Sequence, residues 1–296
     1  MIIRVQNLTK RYGDVTAVDD LSFEVERGEI FGLLGPNGAG KTTTIRVIMD
    51  ILAPDAGSVT VLDRPPGQAK NRVGYLPEER GLYRNLKVLH TLTYLAELKG
   101  VPRRTARERA MALLERIQLD DWAARKVKDL SQGMQQRLQL IASLVHDPEV
   151  LFLDEPFQGL DPVNVERVKN FIAELHQEGK TIVLSSHQMN LVEALCDRIL
   201  LLNRGRPVLY GSLAQIKREH APNIIRVSAS QIPADLPGVA AVEPDDGAFN
   251  LTLVEGVRPQ EVLRSLLAQD VEVQAFEISP APLEDIFVTV ISDEEA

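Results

Sequence analysis

The stretch GPNGAGKT, residues 35–42, decides how the rest of the chain is read. An apolar run, Ile30, Phe31, Gly32, Leu33 and Leu34, leads into it, and an amphipathic stretch over 43–52 follows. The order is strand, glycine loop, helix, which is the context a phosphate-binding loop needs. Gly35, Gly38 and Gly40 let consecutive backbone N–H groups turn inward, and the helix beyond adds the positive end of its dipole. With Pro36, Asn37, Ala39 and Thr43 they form a cradle for polyphosphate. Lys41 is placed to reach the β and γ phosphates, and the Thr42 hydroxyl to ligate Mg²⁺. A glycine turn before an ordinary helix would explain part of this pattern. All eight positions with the right flanks point to nucleotide binding.

At 296 residues the chain is long for one domain and comfortable for two. Its net charge of −9 argues against a nucleic-acid partner. Residues 212–296 hold five Lys/Arg and fifteen Asp/Glu, so the acidity belongs to a C-terminal module and the rest is close to neutral. That acidity reads as a solvated surface, with a binding tail considered only at Asp293, Glu294 and Glu295. One cysteine, Cys196, rules out an internal disulfide and suits a reducing compartment; it falls in an apolar helical pattern and reads as a packed thiol. The N-terminus shows no signal-peptide pattern, and no apolar run approaches eighteen residues. The expectation is a cytoplasmic protein that meets a membrane only through a partner.

Residues 2–34 read as strands. Tyr12, exposed in a turn about two dozen residues before the loop, either stacks on an adenine face, worth about 1–3 kcal/mol, or has no ligand. Strands are expected at 58–62 and 72–76, then a polar loop, PEERGLYRN. Over 88–127 the apolar residues fall at helical spacing in three runs, the last being 122–127, as in a helical subdomain inserted into an α/β core. Ser131 of LSQGMQQR is placed as an N-cap and Gly133 permits close backbone approach, making a second helix N-terminus shaped for an anion. That helix is expected to run on to Asp147-Pro148.

An apolar strand at 150–153 ends in Asp154 and Glu155, where parallel sheets usually place their chemistry. Asp154 would hold Mg²⁺ through water, and Glu155 would orient or deprotonate the attacking water, a role worth about 10²–10⁴-fold in rate. Asp161 before Pro162 caps another helix. His187, just past a buried strand at 181–185, is a candidate hydrogen-bond donor to the γ-phosphate.

In this order the motifs resemble the ATP-binding subunit of an ABC transporter over roughly residues 2–220. GPNGAGKT looks like Walker A, LSQGMQQR like the family signature and LFLDE like Walker B with its catalytic glutamate. GLD at 159–161 looks like the D-loop, His187 like the switch histidine and Tyr12 like the adenine-stacking aromatic. The resemblance implies an α/β P-loop NTPase core with an antiparallel β subdomain and an inserted α-helical subdomain at about 86–145. It implies ATP and Mg²⁺ as ligands and a head-to-tail dimer with a second nucleotide-binding subunit, a homodimer or a heterodimer. Each ATP would lie between Walker A of one subunit and Ser131, Gln132 and Gly133 of the other.

Two motifs depart from the family pattern. Glu78 stands where the family places the Q-loop glutamine, and Gln132 and Met134 replace the first glycine and the glutamine of the usual signature. Backbone donors survive such changes, so ATP contact is expected to persist. GYLPEERGLY, the LSQGMQQR form and the acidic C-terminal extension are similar to bacterial exporters of the sodium-extruding and drug-exporting type, whose permease is a separate transmembrane chain. The expected role is an ATPase on the inner face of the membrane, with residues 77–86 and 88–127 receiving the permease. The rival is a soluble ABC-type ATPase acting on a macromolecular complex, disfavoured by the single domain set, the absence of a heptad insertion and the negative charge. Residues 221–296 read as a small α+β domain without catalytic motifs, its change of texture near Asn223.

Overall fold

The computed structural model describes the chain except residues 80, 221–223, 234, 246, 255, 279–281 and 296, and the side chains of 292–295. Asn223 and the acidic side chains of Asp293, Glu294 and Glu295 therefore lie outside the described residues. Chain contacts divide the molecule into Met1–Leu213 and Ala214–Ala296.

In the first unit, β1 (Ile3–Tyr12) and β2 (Val15–Val25) form a hairpin closed at Tyr12 opposite Val15. Next come β3 (Ile30–Leu34), α1 (Lys41–Ile48) and β4 (Ala56–Val61), the last pairing with the free side of β1 to give an antiparallel sheet ordered β2-β1-β4. After α2 (Pro66–Ala69) and β5 (Val73–Leu76), the helical segment holds α3 (Val88–Leu98), α4 (Arg103–Arg116) and α5 (Gln132–Ala142). The chain returns through β6 (Val150–Asp154), α6 (Pro162–Gln177), β7 (Thr181–Ser186), α7 (Met189–Leu195), β8 (Arg198–Asn203) and β9 (Arg206–Ser212).

The second sheet runs β5-β6-β7-β3-β8-β9. Its first five strands are parallel and β9 is antiparallel to β8. Every residue of β3, β6 and β7 is buried, as expected for strands covered on both faces. These three are neighbours, with Leu34 opposite Ser186 and Asp154 opposite Ser185, so their carboxyl ends deliver three loops to one edge.

Two helical expectations need correction. Residues 122–127 are not a helix: a 3₁₀ turn ends at Trp122, and the backbone then pairs sideways. The Val88 N–H donates to Arg125 O, Leu89 N–H to Ala123 O and Val127 N–H to Leu86 O, so the segment spends its hydrogen bonds on the start of α3. The helix after Ser131 ends at Ala142, not at Asp147. It tightens through 3₁₀-type bonds, Leu144 N–H to Ile141 O and Asp147 N–H to Leu144 O. Cys196 lies one residue beyond α7, buried, with burial pushing its thiol pKa up.

The end of that tightened stretch buries His146, whose Nε2 lies 3.0 Å from Val73 O. Burial, with Lys99 and Lys180 nearby, pushes its pKa down to about 4. A histidine whose folded pKa falls below its unfolded value contributes stability that is complete above about 6.5 and lost as pH falls toward 4, here about 3 kcal/mol. Urea unfolding of the parent and of His146→Gln from pH 7 to 4.5 tests this. The parent should lose stability faster, and parallel curves would remove His146 as the cause.

The second unit contains α8 (Leu213–Glu219) from Ala214 onward, then β10 (Ile224–Ala229), β11 (Val239–Asp245) and β12 (Ala248–Leu253). It closes with α9 (Pro259–Ala268), β13 (Val273–Ile278) and α10 (Leu283–Glu295). Its antiparallel sheet is ordered β11-β12-β10-β13 and has its own core of Ile225, Val227, Leu251, Val262 and Leu266. Among the described residues no helix is long and apolar enough to cross a membrane.

Candidate nucleotide site

The glycine loop bends where β3 meets α1. Gly35 and Gly40 take φ of 142° and 103°, and the Gly40 left-handed turn starts α1 without a side-chain cap, leaving the first helical N–H groups free for a ligand. A cavity opens over them, lined by Ala17, Asn37, Gly38, Ala39, Gly40, Lys41, Thr42, Thr43, Glu78 and Glu155. Gly38 also has a positive φ, 83°, and a Cβ built there would meet no atom within 4 Å. The cradle is shaped by backbone and leaves room for phosphate oxygens.

Around it the titratable groups interlock. Lys41, 5 % exposed, donates from Nζ to Gly35 O at 2.7 Å and to Pro36 O at 3.2 Å, with Glu155 Oε1 3.6 Å away. Glu155 Oε2 lies 3.0 Å from His187 Nδ1. Because a carboxylate only accepts, Nδ1 carries the hydrogen and Nε2 is the remaining ring nitrogen. Glu155 itself sits at φ 49°, a left-handed turn that swings its side chain off the end of β6.

Asp154 is fully buried. Its Oδ1 accepts from Ser185 Oγ at 2.5 Å and Thr42 Oγ1 at 3.2 Å, while Oδ2 has no partner among the described residues. Burial is the main force raising its pKa, opposed by those two hydroxyls and reinforced by the charges of Glu78 and Glu155. A buried carboxylate oxygen with no donor, beside the Thr42 hydroxyl, fits a hard divalent cation.

The remaining sequence-predicted residues sit elsewhere. Tyr12 is about half exposed, with Lys10 Nζ 5.8 Å from its ring centroid, and does not line the cavity. Ser131 caps α5 by accepting from the Met134 N–H at 3.3 Å. Gln132 Nε2 donates to Gly159 O at 3.2 Å, and a Cβ on Gly133 would come within 2.8 Å of Asn164 Nδ2, so LSQGMQQR packs on the Asp161 turn. Asp161 accepts from the Asn164 N–H at 3.0 Å as the cap of α6. None of these signature or turn residues lines the nucleotide cavity.

Three contributors escape sequence reasoning. Ser185 orients Asp154 and accepts from the Glu155 N–H at 3.1 Å; Gln158 donates to Glu78 Oε1 at 3.2 Å; Ala17 lines the cavity. The only signal for Ser185 is its place at the end of an apolar strand.

Residues 18–158 match the family model described as ABC transporter, and 211–291 the model described as ATP-binding protein DrrA1-3-like, C-terminal domain. The ABC transporter ATP-binding protein YhaQ of Bacillus subtilis is 39% identical over 97% of this chain and 97% of its own length. The Nod factor export ATP-binding protein I of Ralstonia nicotianae is 37% identical over 99% of this chain and 94% of its own. A solved structure described as the ATP binding subunit of an ABC transporter superposes with a TM-score of 0.68 at 29% identity, covering 74% of this chain and 93% of that one. The chain therefore belongs to the ATP-binding, ATP-hydrolysing subunits of ABC transporters, and it carries a DrrA-like C-terminal domain.

Proposed function

We propose that this chain powers export by a separate transmembrane permease, working as a pair of nucleotide-binding subunits, two copies of itself, on the inner face of the membrane. The observation that carries the reading is the cluster of Lys41, Glu155 and His187 beside a glycine cradle. Likeness to a Nod factor export protein supports the direction of transport.

The chain's residues divide the work. Backbone N–H groups of 37–43, with Lys41, hold the phosphates of ATP. Thr42 and Asp154 would hold Mg²⁺, which when bound neutralises charge on the phosphates. Glu155 takes the proton of the attacking water, and the Nδ1–H of His187 holds that carboxylate; donating from Nε2 to a γ-phosphate oxygen requires the imidazolium form, with a hydrogen on both ring nitrogens. Glu78, tethered by Gln158, adds a carboxylate at the rim of the same cavity. Tyr12 offers a face to adenine.

Ser131, Gln132 and Gly133 lie outside their own chain's cavity, which supports a second copy supplying them in trans. ATP would close the dimer and hydrolysis reopen it. The 77–86 loop and the helical segment 88–127 are the surface proposed to receive the permease.

Size-exclusion chromatography of Glu155→Gln with and without Mg-ATP, beside hydrolysis by the parent, tests the site. A dimer that needs ATP, with turnover lowered about 10²–10⁴-fold, is the expected result. A monomeric variant that still hydrolyses ATP would overturn both the base assignment and the self-paired dimer.

A further inference from the structure

A second cavity, about 180 Å³, opens between the end of α4, α5 and α6, and its lining shares no residue with the nucleotide cavity. Its polar lining residues are three arginines, Arg116, Arg137 and Arg167, the amides Gln118 and Asn170, and one carboxylate, Glu174. Arg116 is already neutralised, 3.2 Å from Glu174 Oε2 and 2.8 Å from Glu178 Oε1, and its guanidinium lies 4.9 Å from the Phe171 ring centroid.

Arg137 is in a different state. It is only 8 % exposed, and among the described residues it makes one hydrogen bond, Nη1 to Ile117 O at 2.6 Å. Its Nε is buried with no acceptor. No carboxylate forms an ion pair with it among the described residues: Asp161 acts only through its longer-range field, while the charge of exposed Arg167 opposes it. Buried arginines are rarely tolerated without a partner, and an apolar residue of similar volume would ordinarily serve the fold as well or better. Keeping one here, with a second arginine beside it and a cavity in front, is the arrangement a missing counter-charge would complete.

We propose that this cavity binds a small oxyanion of the phosphate class, held by Arg137 and Arg167 with the Gln118 and Asn170 amides completing its shell. The planar guanidinium fork matches two oxygens of such an anion at once. Since α5 begins at Ser131 and α6 at Asp161, an anion here would tie together the helices that carry the signature and the aspartate turn. The inference does not rest on the export reading: Arg137, Arg167 and Asn170 have no part in it, and of the four only Gln118 falls in the segment proposed to receive the permease.

The test is thermal unfolding of the full chain against inorganic phosphate, with chloride at matched ionic strength as control. Saturating Mg²⁺ and a non-hydrolysable ATP analogue keep phosphate out of the glycine cradle. Phosphate should raise the melting temperature saturably and chloride should not. Arg167→Gln, an exposed position, should weaken half-saturation by about tenfold or more while leaving the phosphate-free melting temperature unchanged or higher. Arg137→Met should abolish the response; if it fails to fold, Arg167→Gln still decides. No phosphate response in the parent, or one whose midpoint survives Arg167→Gln, would overturn the proposal.

Discussion

Nucleotide-free Asp154→Asn is expected to melt higher than the parent while hydrolysing ATP about 10²–10³-fold more slowly, the scale of one lost electrostatic group. The two effects have one cause. Asp154 is fully buried, and among the described residues only one of its carboxylate oxygens has hydrogen-bond partners, Ser185 and Thr42. Glu78 and Glu155 add negative charge nearby, and burial already favours the neutral acid. A neutral amide keeps the acceptor for both hydroxyls and removes the uncompensated charge, which should stabilise the empty chain by about 1–2 kcal/mol. The same change takes away the group assigned to Mg²⁺. Differential scanning calorimetry in EDTA, beside hydrolysis assays across Mg²⁺ concentrations, separates the two effects. A lower melting temperature would mean that Asp154 serves the fold, and unaltered Mg²⁺ dependence would remove it from the metal site.

The parts of this molecule legible in the sequence are those that the backbone or the strand pattern dictates locally. Gly35, Gly38 and Gly40 are readable because only glycine follows such turns freely, and Asp154 and Glu155 because they end an apolar run. Ser185 was illegible: its contact with Asp154 comes from the sideways register of two strands nearly thirty residues apart, which no local spacing encodes. The same cause governs residues 122–127, where apolar periodicity suggests a helix but hydrogen bonds to 86–89 win. The early end of α5 is also tertiary. No breaker appears before Pro148, yet a Cβ on Gly74 would stand 2.2 Å from Ser143 O, so the sheet presses on the turn that follows the helix. Arg137 has an ordinary place in a polar-looking helix, and only packing shows that its charge is buried.

Two glycines of one loop should fail in different ways when replaced by alanine. Gly40 has φ 103°, and its Cβ would stand 2.4 Å from the Ala17 carbonyl oxygen, a backbone atom of β2. Nothing flexible can yield there, so strain and overpacking together should cost about 3–5 kcal/mol. Gly40→Ala is therefore expected to lose folding and ATP binding together. Gly38 has φ 83°, and its Cβ would meet nothing within 4 Å. The left-handed backbone alone should cost about 1–2 kcal/mol, which leaves the chain folded. The added methyl nevertheless enters the cavity that Gly38 lines, where the cradle assigned to phosphate needs the backbone N–H groups unobstructed. Gly38→Ala should accordingly unfold only slightly early and bind a fluorescent ATP analogue at least about tenfold more weakly, a loss of about 1.4 kcal/mol. If Gly38→Ala binds the analogue as tightly as the parent, the phosphates do not rest on this part of the loop. If Gly40→Ala folds normally, the contact with Ala17 is not what fixes glycine at that position.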